Sequence, residues 1–574
     1  MIFRASLLTT LALASHMAQA RPDYSLILIG GGVKSCSSMA LQGCVPNTKA
    51  PAGSLTEQQY QFPASIEAKL ATLAFPAVQQ AQANALLRLL AARHGAKILS
   101  ERDLKSAIRS AELEVDGQWT TGRDIWQQFS EGQKDAIYDM LQLAKIKDGR
   151  HVPEVAMPLQ LNNNHSLAIY QEIVNQAKKA GNRAKPRIVI FTASSRDPFA
   201  AVSYYKSLFN ALGAEASWLP INLAFQKAQA DNASLCKTFA TTLQQAQGTN
   251  RRDEMYPDLF EYQQNFCREG HIFATKALRD ADAVFFNGGD QSLTYQAFKN
   301  ADGSDTPELS VIREKFIAGT LVIAGTSAGT AVQTGAPHVM ITGGDSVSAF
   351  EKPMQLTNGP CGVNCTDELG ASPLTGQASG GLGFFPYGVL DTHFSERGRQ
   401  GRLWQLLGQT KGQLGVGVDE NTALLVNPIS NGATMRVLGE GGVFFTQPGP
   451  LPTIWRTHYL TQDDQVTVAG SGKDTQLQFQ LAPWKYTGSN RKQMLMQTND
   501  VFTGSRYRSL AALMCQNHNE VATGRFDVNG KTWQLTMNRN AQTNSRNGSY
   551  QVQGQVFAAC SYHDLLVSYQ ELHE

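Results

Sequence analysis

Seven residues, Ala324-Gly325-Thr326-Ser327-Ala328-Gly329-Thr330, directly follow the apolar run Thr320-Leu321-Val322-Ile323. An apolar strand running into Gly-x-Ser-x-Gly is the sequence form of a nucleophile elbow. The flanking glycines permit a crowded strand-to-helix turn that lifts the serine hydroxyl clear of the sheet. Such a hydroxyl attacks a carbonyl only when a base takes its proton and a third group orients that base. The candidate base among the 11 histidines is His393, which follows an apolar segment in Val389-Leu390-Asp391-Thr392-His393-Phe394-Ser395. Three carboxylates compete to orient it. Asp391 lies two residues before His393, so on an extended strand the two share a face. Asp419 and Glu420 end a second strand-like run, Gly415-Val416-Gly417-Val418. Pattern alone leaves the three open.

Acyl chemistry also needs backbone N–H groups aimed at the developing oxyanion. The N–H of Ala328, just after the serine, is one natural donor. A second donor could come from Gly288 or Gly289, in the Asn287-Gly288-Gly289-Asp290-Gln291 turn that ends the apolar run Ala283-Val284-Phe285-Phe286. Without a Cβ, either glycine lets the backbone approach a substrate closely.

The elements that must hold these residues follow an α/β rhythm. A buried strand at residues 24–29 ends in Gly30-Gly31-Gly32, which has neither dinucleotide nor P-loop spacing and reads as a plain strand end. Helices are predicted at residues 166–180, 204–212, 274–280, 291–298 and 312–318. Strands are predicted at 187–192, 218–221 and 283–286, with a last one feeding Ser327. This alternation predicts a mostly parallel, doubly wound sheet, in which sites gather at the carboxyl ends of strands. Residues 63–150 interrupt the rhythm. Apolar spacing near 3.6 at 66–73, 77–94 and 126–146 reads as a helical insertion. Beyond Leu390 come short strands at 414–418, 422–426, 433–438 and 442–445. From 448 the chain turns polar, with alternating segments at 466–469 and 476–481. The expected organisation is an α/β domain over 21–447 carrying the insertion, then a separate, mainly β region over 448–574.

Bulk properties set the setting. With 42% hydrophobic and 17% charged residues among 574, the chain can build a sizeable core. A net charge of +2 gives no reason to expect a nucleic-acid partner. Arg4, an apolar stretch over 7–14 and Ala18-Gln19-Ala20 predict a signal peptide over residues 1–20, cleaved near Ala20, and a secreted or periplasmic protein. That stretch is too short to span a bilayer, and no later segment approaches about 18 apolar residues. The eight cysteines form four local pairs: Cys36 and Cys44, Cys236 and Cys267, Cys361 and Cys365, Cys515 and Cys560. An even count in an exported chain favours disulfides, taken here between nearest neighbours. Cys361 and Cys365 lack a second ligand pair at suitable spacing, so no metal is expected.

Four segments occur in order: Phe286-Asn287-Gly288-Gly289-Asp290-Gln291, Gly325-Thr326-Ser327-Ala328-Gly329, Asp391-Thr392-His393-Phe394-x-x-Arg397-x-Arg399-x-x-Arg402-Leu403 and Gly417-Val418-Asp419-Glu420-Asn421-Thr422-Ala423. Together they resemble the cyanophycinase branch of the serine peptidase family that also contains dipeptidase E. The resemblance covers about residues 24–34 and 160–446, leaving out the insertion and the C-terminal region. It implies a glutamine-amidotransferase-like α/β fold with Ser327 as nucleophile, His393 as general base, Glu420 as third member and no cofactor. The implied order Ser, His, acid separates it from α/β-hydrolases, which run Ser, acid, His. The implied substrate is cyanophycin, a poly-aspartate bearing arginine on its side-chain carboxyls, or a related aspartyl or β-aspartyl peptide. Gln291 and Asp391 match family pocket residues, whereas Thr392 stands where the family motif has Gln. Arg397, Arg399 and Arg402 suit carboxylate recognition, since guanidinium binds carboxylate in a planar, bidentate way. The expectation is a secreted serine peptidase working through an acyl-enzyme. Its rivals are a dipeptidase-E-like hydrolase of short Asp-containing peptides and a non-catalytic secreted binding protein. A homodimer is left open.

Overall fold

The apolar runs that read as buried strands lie side by side in one sheet of the computed structural model, which describes residues 21–63, 66–71, 75–115, 117–356, 373–470, 472–487, 496–517, 519–552 and 554–573. The expected signal peptide and the Cys361 and Cys365 pair lie outside these residues. Leu26–Ile29 (β1), Arg187–Phe191 (β2), Glu215–Trp218 (β3), Ala283–Phe286 (β4) and Val322–Thr326 (β5) are parallel neighbours in the order β1-β5-β4-β2-β3. All residues of β1, β4 and β5 are buried, which is why these strands read as continuous apolar runs rather than alternating ones. Leu26 and Leu28 pack on one face with Phe225, Phe286 and Ile323. Ile27 and Ile29 pack on the other with Phe285 and with Ile169 and Ile173 of the Asn164–Gly181 helix. Both faces of the sheet are therefore covered, as an α/β fold requires.

The chain then builds a second sheet while extending the first. Val389–Thr392 (β6) pairs in parallel with Gly415–Val418 (β7). Thr422–Ile429 (β8) returns to the first sheet, antiparallel to β1, and Gly432–Gly439 (β9) pairs with β8. Gly442–Pro448 (β10) joins β7 and pairs with Ile454–Thr461 (β11), a ladder that crosses position 448. Gln465–Ala469 (β12) and Gln476–Gln480 (β13) extend the first sheet from β9. Val521–Val528 (β14), Lys531–Asn538 (β15), Asn544–Val552 (β16) and Gln555–Glu571 (β17) complete the second, with β17 between β11 and β15. Residues after 448 thus continue both sheets. They also share a core with earlier residues: Phe394, Trp404 and Phe444 pack with Trp455, Tyr507, Leu510 and Val567.

The 63–150 segment packs on itself, with Leu86, Leu90, Ile108 and Ile137 in one cluster. Its Ala77–His94 helix falls where the spacing put it. The single helix expected over 126–146 is instead two, Gly122–Gln128 and Glu131–Leu141. Ser130 starts the second one by a capping box: its side chain accepts from the Gln133 N–H and the Gln133 side chain accepts from the Ser130 N–H. A hairpin, Glu112–Val115 with Gln118–Thr121, also breaks the helical pattern. In the α/β part, the helix expected over 274–280 begins already at Pro257, and Gly270 at φ 64° kinks it. The helices Leu223–Ala230, Phe239–Gln247, Gln400–Thr410 and Arg506–Asn517 were not anticipated. Among the described residues three cysteine pairs are bonded as nearest neighbours, Cys36–Cys44, Cys236–Cys267 and Cys515–Cys560. No helix of the described residues is long and apolar enough to cross a membrane.

Candidate active site

Ser327 stands at the carboxyl end of β5 with φ 53° and ψ −115°, a left-handed conformation that a non-glycine residue holds only where its surroundings impose it. The impositions are visible. The Ser327 N–H donates to the Ile29 carbonyl at 2.9 Å, tying the elbow to β1, and the Ser327 carbonyl accepts from Thr330 and Ala331 at 2.9 Å each. A Cβ on Gly325 would fall 2.1 Å from the Gly329 carbonyl oxygen, and one on Gly329 would fall 2.2 Å from that of Phe286. The motif's two glycines are what the turn needs sterically.

His393 follows β6, with φ 46° and its N–H donating to the Gly30 carbonyl at 2.7 Å. Its Nε2 lies 2.8 Å from the Ser327 hydroxyl and its Nδ1 lies 2.7 Å from Glu420 Oε1. With the proton on Nδ1, the ring donates to Glu420 and accepts from the serine. The serine thus comes from the first sheet, while base and acid come from the ends of β6 and β7 in the second. Burial pushes the His393 pKa below its ordinary value. Glu420 opposes this, and the charges of Arg397 and Arg399 reinforce it. The imidazole is therefore neutral near pH 7, the form that accepts a proton.

Of the three carboxylates left open by pattern, Glu420 is the one that touches the imidazole. Asp391 is gripped by Arg402, whose Nε and Nη2 donate to its two oxygens at 2.8 and 2.5 Å, and Arg399 adds a longer contact at 3.3 Å. Burial works to raise the Asp391 pKa, but the charges of Arg402 and Arg399 hold it below the usual carboxylate range. Asp419 is wholly buried and accepts from the Ser395 N–H at 2.9 Å, the Tyr459 hydroxyl at 2.6 Å and Arg508 at 2.9 Å.

A cleft of about 230 Å³ opens before Ser327, lined among others by Gly289, Gln291, Ala328, Thr392, Arg397 and Arg399. Ala328 begins a helical turn, so its N–H lacks an intrahelical acceptor. A Cβ on Gly288 would sit 3.3 Å from Ser327 Cβ, and one on Gly289, at φ 143°, would sit 2.1 Å from the Ser194 carbonyl. The turn therefore lies against the serine. The three arginines divide in role. Arg402 is buried, and its remaining nitrogen donates to the Gly344 carbonyl at 2.5 Å, so it braces Asp391 and has no free edge for a ligand. Arg399 ties Asp391 to the Thr392 carbonyl at 2.6 Å. Arg397 is exposed at the rim and has no carboxylate partner among the described residues. Gln291 donates to the Ile341 carbonyl at 2.6 Å. Among the described residues no group of three His, Cys, Asp or Glu is placed to hold a metal ion.

Sequence reasoning passed over two parts of this site. The Gly30-Gly31-Gly32 turn lies beneath the histidine and its acid: a Cβ on Gly31 would fall 2.4 Å from His393 Nε2, and one on Gly32 would fall 2.4 Å from Glu420 Oε2. The available signal was three glycines ending a strand whose register pairs Ile29 with Thr326. The second part is a brace behind Glu420. Its N–H donates to Glu396 Oε2 at 3.0 Å, and Arg508 joins Glu396 at 2.6 Å to Asp419 at 2.9 Å. Burial and the charge of Asp419 raise the Glu396 pKa against the pull of Arg508.

No family model matches the chain. Over 185 residues it is 32% identical to the cyanophycinase of Trichormus variabilis and to that of a Nostoc species, a stretch that makes up 32% of this chain and 51% of each relative. The chain spans about half the length of the curated relatives it matches. Among solved structures, a peptidase from an acI-B1 Actinobacterium covers 54% of this chain and 92% of its own, at 18% identity and a TM-score of 0.31. Over part of its length, then, the chain is related in sequence to cyanophycinases.

Proposed function

We propose that this protein is a serine peptidase that hydrolyses cyanophycin or related aspartyl and β-aspartyl peptides. The observation that carries the reading is the relay from Ser327 through His393 to Glu420, at 2.8 and 2.7 Å, set on a strained elbow. The Ser327 oxygen attacks the scissile carbonyl as its proton passes to His393 Nε2, and Glu420 steadies the imidazolium. The N–H groups of Ala328 and of Gly288 or Gly289 take the oxyanion. His393 then protonates the leaving amine, and water releases the acid from the acyl-enzyme by the same path. Arg397, unpaired at the rim, suits the free carboxylate of an aspartyl chain. We further propose that the protein is exported. The N-terminal composition and the bonded cysteine pairs support this.

The test incubates purified protein with insoluble cyanophycin and, separately, with short Asp-containing peptides, following soluble products by mass spectrometry. Wild type is expected to release product, and Ser327→Ala to lose at least ~10³-fold in turnover. Turnover should fall on acidification with a midpoint below the ordinary histidine value, because burial depresses His393 and its neutral form is the active one. Cleavage of short peptides alone would give the dipeptidase reading. No cleavage and no phosphonate adduct on Ser327 would leave a binding protein.

A further inference from the structure

A second serine, histidine and aspartate are hydrogen-bonded in series away from the Ser327 cleft. His151 Nε2 lies 2.7 Å from Ser203 Oγ, and His151 Nδ1 lies 2.7 Å from Asp258 Oδ1. The same Asp258 oxygen accepts the His151 backbone N–H at 3.0 Å. An acceptor facing Nδ1 places the ring proton there and leaves Nε2 to accept from the Ser203 hydroxyl. Each member comes from a different element. His151 ends the Arg150–His151 strand, Ser203 is the second residue of the Val202–Ala211 helix, and Asp258 is the second residue of the Pro257–Arg279 helix. The Tyr256 ring meets the imidazole edge-on at 5.5 Å. Burial works to raise the Asp258 pKa, but hydrogen bonds from His151 keep it below the usual range, so the aspartate stays ionised.

All three line a cleft of about 840 Å³ that shares no lining residue with the Ser327 cleft. Trp218 and Tyr262 give it apolar wall. Lys206 stands one turn beyond Ser203 and forms no ion pair among the described residues. Lys147 and Arg150 line the same cleft, as do Asp148 and Glu154, so Lys206, the cation on the serine's own helix, is the group placed to take a negative charge on the acyl portion. We propose that Ser203, His151 and Asp258 form a second nucleophilic site that cleaves small carboxylic esters or amides with an anionic acyl portion. The Ser203 oxygen bonds to the acyl carbon while its proton moves to His151 Nε2. The tetrahedral adduct expels the alcohol or amine, which takes that proton, and leaves acyl-Ser203. Water then attacks, its proton passing through His151 to Ser203 Oγ, and the carboxylic acid departs. The positive end of the Val202–Ala211 helix favours the negative charge of the adduct, while Lys206 holds the carboxylate of the acyl portion.

The experiment treats full-length Ser327→Ala with an alkyl fluorophosphonate and maps the adduct by mass spectrometry. The expected result is an adduct on Ser203 whose rate of formation falls about 10²-fold or more when His151→Gln or Asp258→Asn is added. The Ser327→Ala chain should also hydrolyse p-nitrophenyl hemisuccinate, and Ser327→Ala/Ser203→Ala should not. Lys206→Met should raise KM for that ester and leave kcat unchanged. No adduct on Ser203, or an adduct whose rate ignores both the His151 and the Asp258 change, would overturn the proposal. The same variants carrying native Ser327 report folding through thermal unfolding, and an adduct at Ser327 reads the first site separately.

Discussion

The segment near 63–150 and the stretch after 448 both read as additions to an α/β sheet, yet they are joined to it by different physics. The insertion keeps its own apolar cluster and meets the rest of the molecule through charge. Asp139 accepts from Arg196 at 2.9 and 3.0 Å and pairs with Arg252 at 3.2 Å, while Arg251 donates to the Met140 carbonyl at 2.9 Å. Among the described residues the C-terminal stretch has no cluster of its own. Trp455, Tyr507 and Val567 share one with Trp404 and Phe444, and β11 completes the ladder of β10. A charged seam between separately packed bodies can be cut at limited cost, whereas a shared core unfolds as one unit.

The harshest way to break this contrast is to end the chain at residue 447. That removes one of the two partners of β9 and of β10 and most of the second core, so we expect insoluble protein and no phosphonate labelling of Ser327. A narrower cut is Asp464→Ala. This wholly buried carboxylate pairs with Lys485 at 2.6 Å and accepts from the Ala482 N–H and the β17 residue Ser561. Its loss leaves the buried Lys485 ammonium without its counter-charge, at about 3–5 kcal/mol of stability, measurable by denaturant unfolding. Arg508→Gln loosens the Glu396 and Asp419 brace behind Glu420 and should lower kcat by up to about 10²-fold with little change in KM. Arg508→Lys should recover part of that. The mildest expected effect comes from excising residues 64–140 with a short glycine joint and with Arg196→Gln, since Arg196 would otherwise lose both Asp135 and Asp139. The Gln61 N–H already donates to the Leu141 carbonyl at 2.9 Å, so the ends meet, and Arg252 keeps Asp197 as partner. We expect a drop in Tm of a few degrees and unchanged Ser327 labelling; loss of soluble protein would sink the contrast.

These differences mark where the sequence could be read and where it could not. Ala283–Phe286 and Val322–Thr326 announce themselves because strands buried on both faces carry unbroken apolar runs. The elbow is equally open to reading, since Gly325, Ser327 and Gly329 do their work within five residues. Contacts between distant positions left no such trace. Gly31 meets His393 and Arg508 meets Glu396 across intervals that no local pattern spans. The same holds for His151, Ser203 and Asp258, each unremarked in its own neighbourhood. After 448 the alternating segments at 466–469 and 476–481 did mark strands. What alternation could not say is which sheet each would join, because it records the faces of a strand and not its neighbours.

The serine and its base belong to different sheets, and the sheet that holds the base is finished by the last strand of the chain, β17. The contact between Ser327 and His393 therefore bridges two sheets, and it reports how the two are seated on one another rather than the order within either.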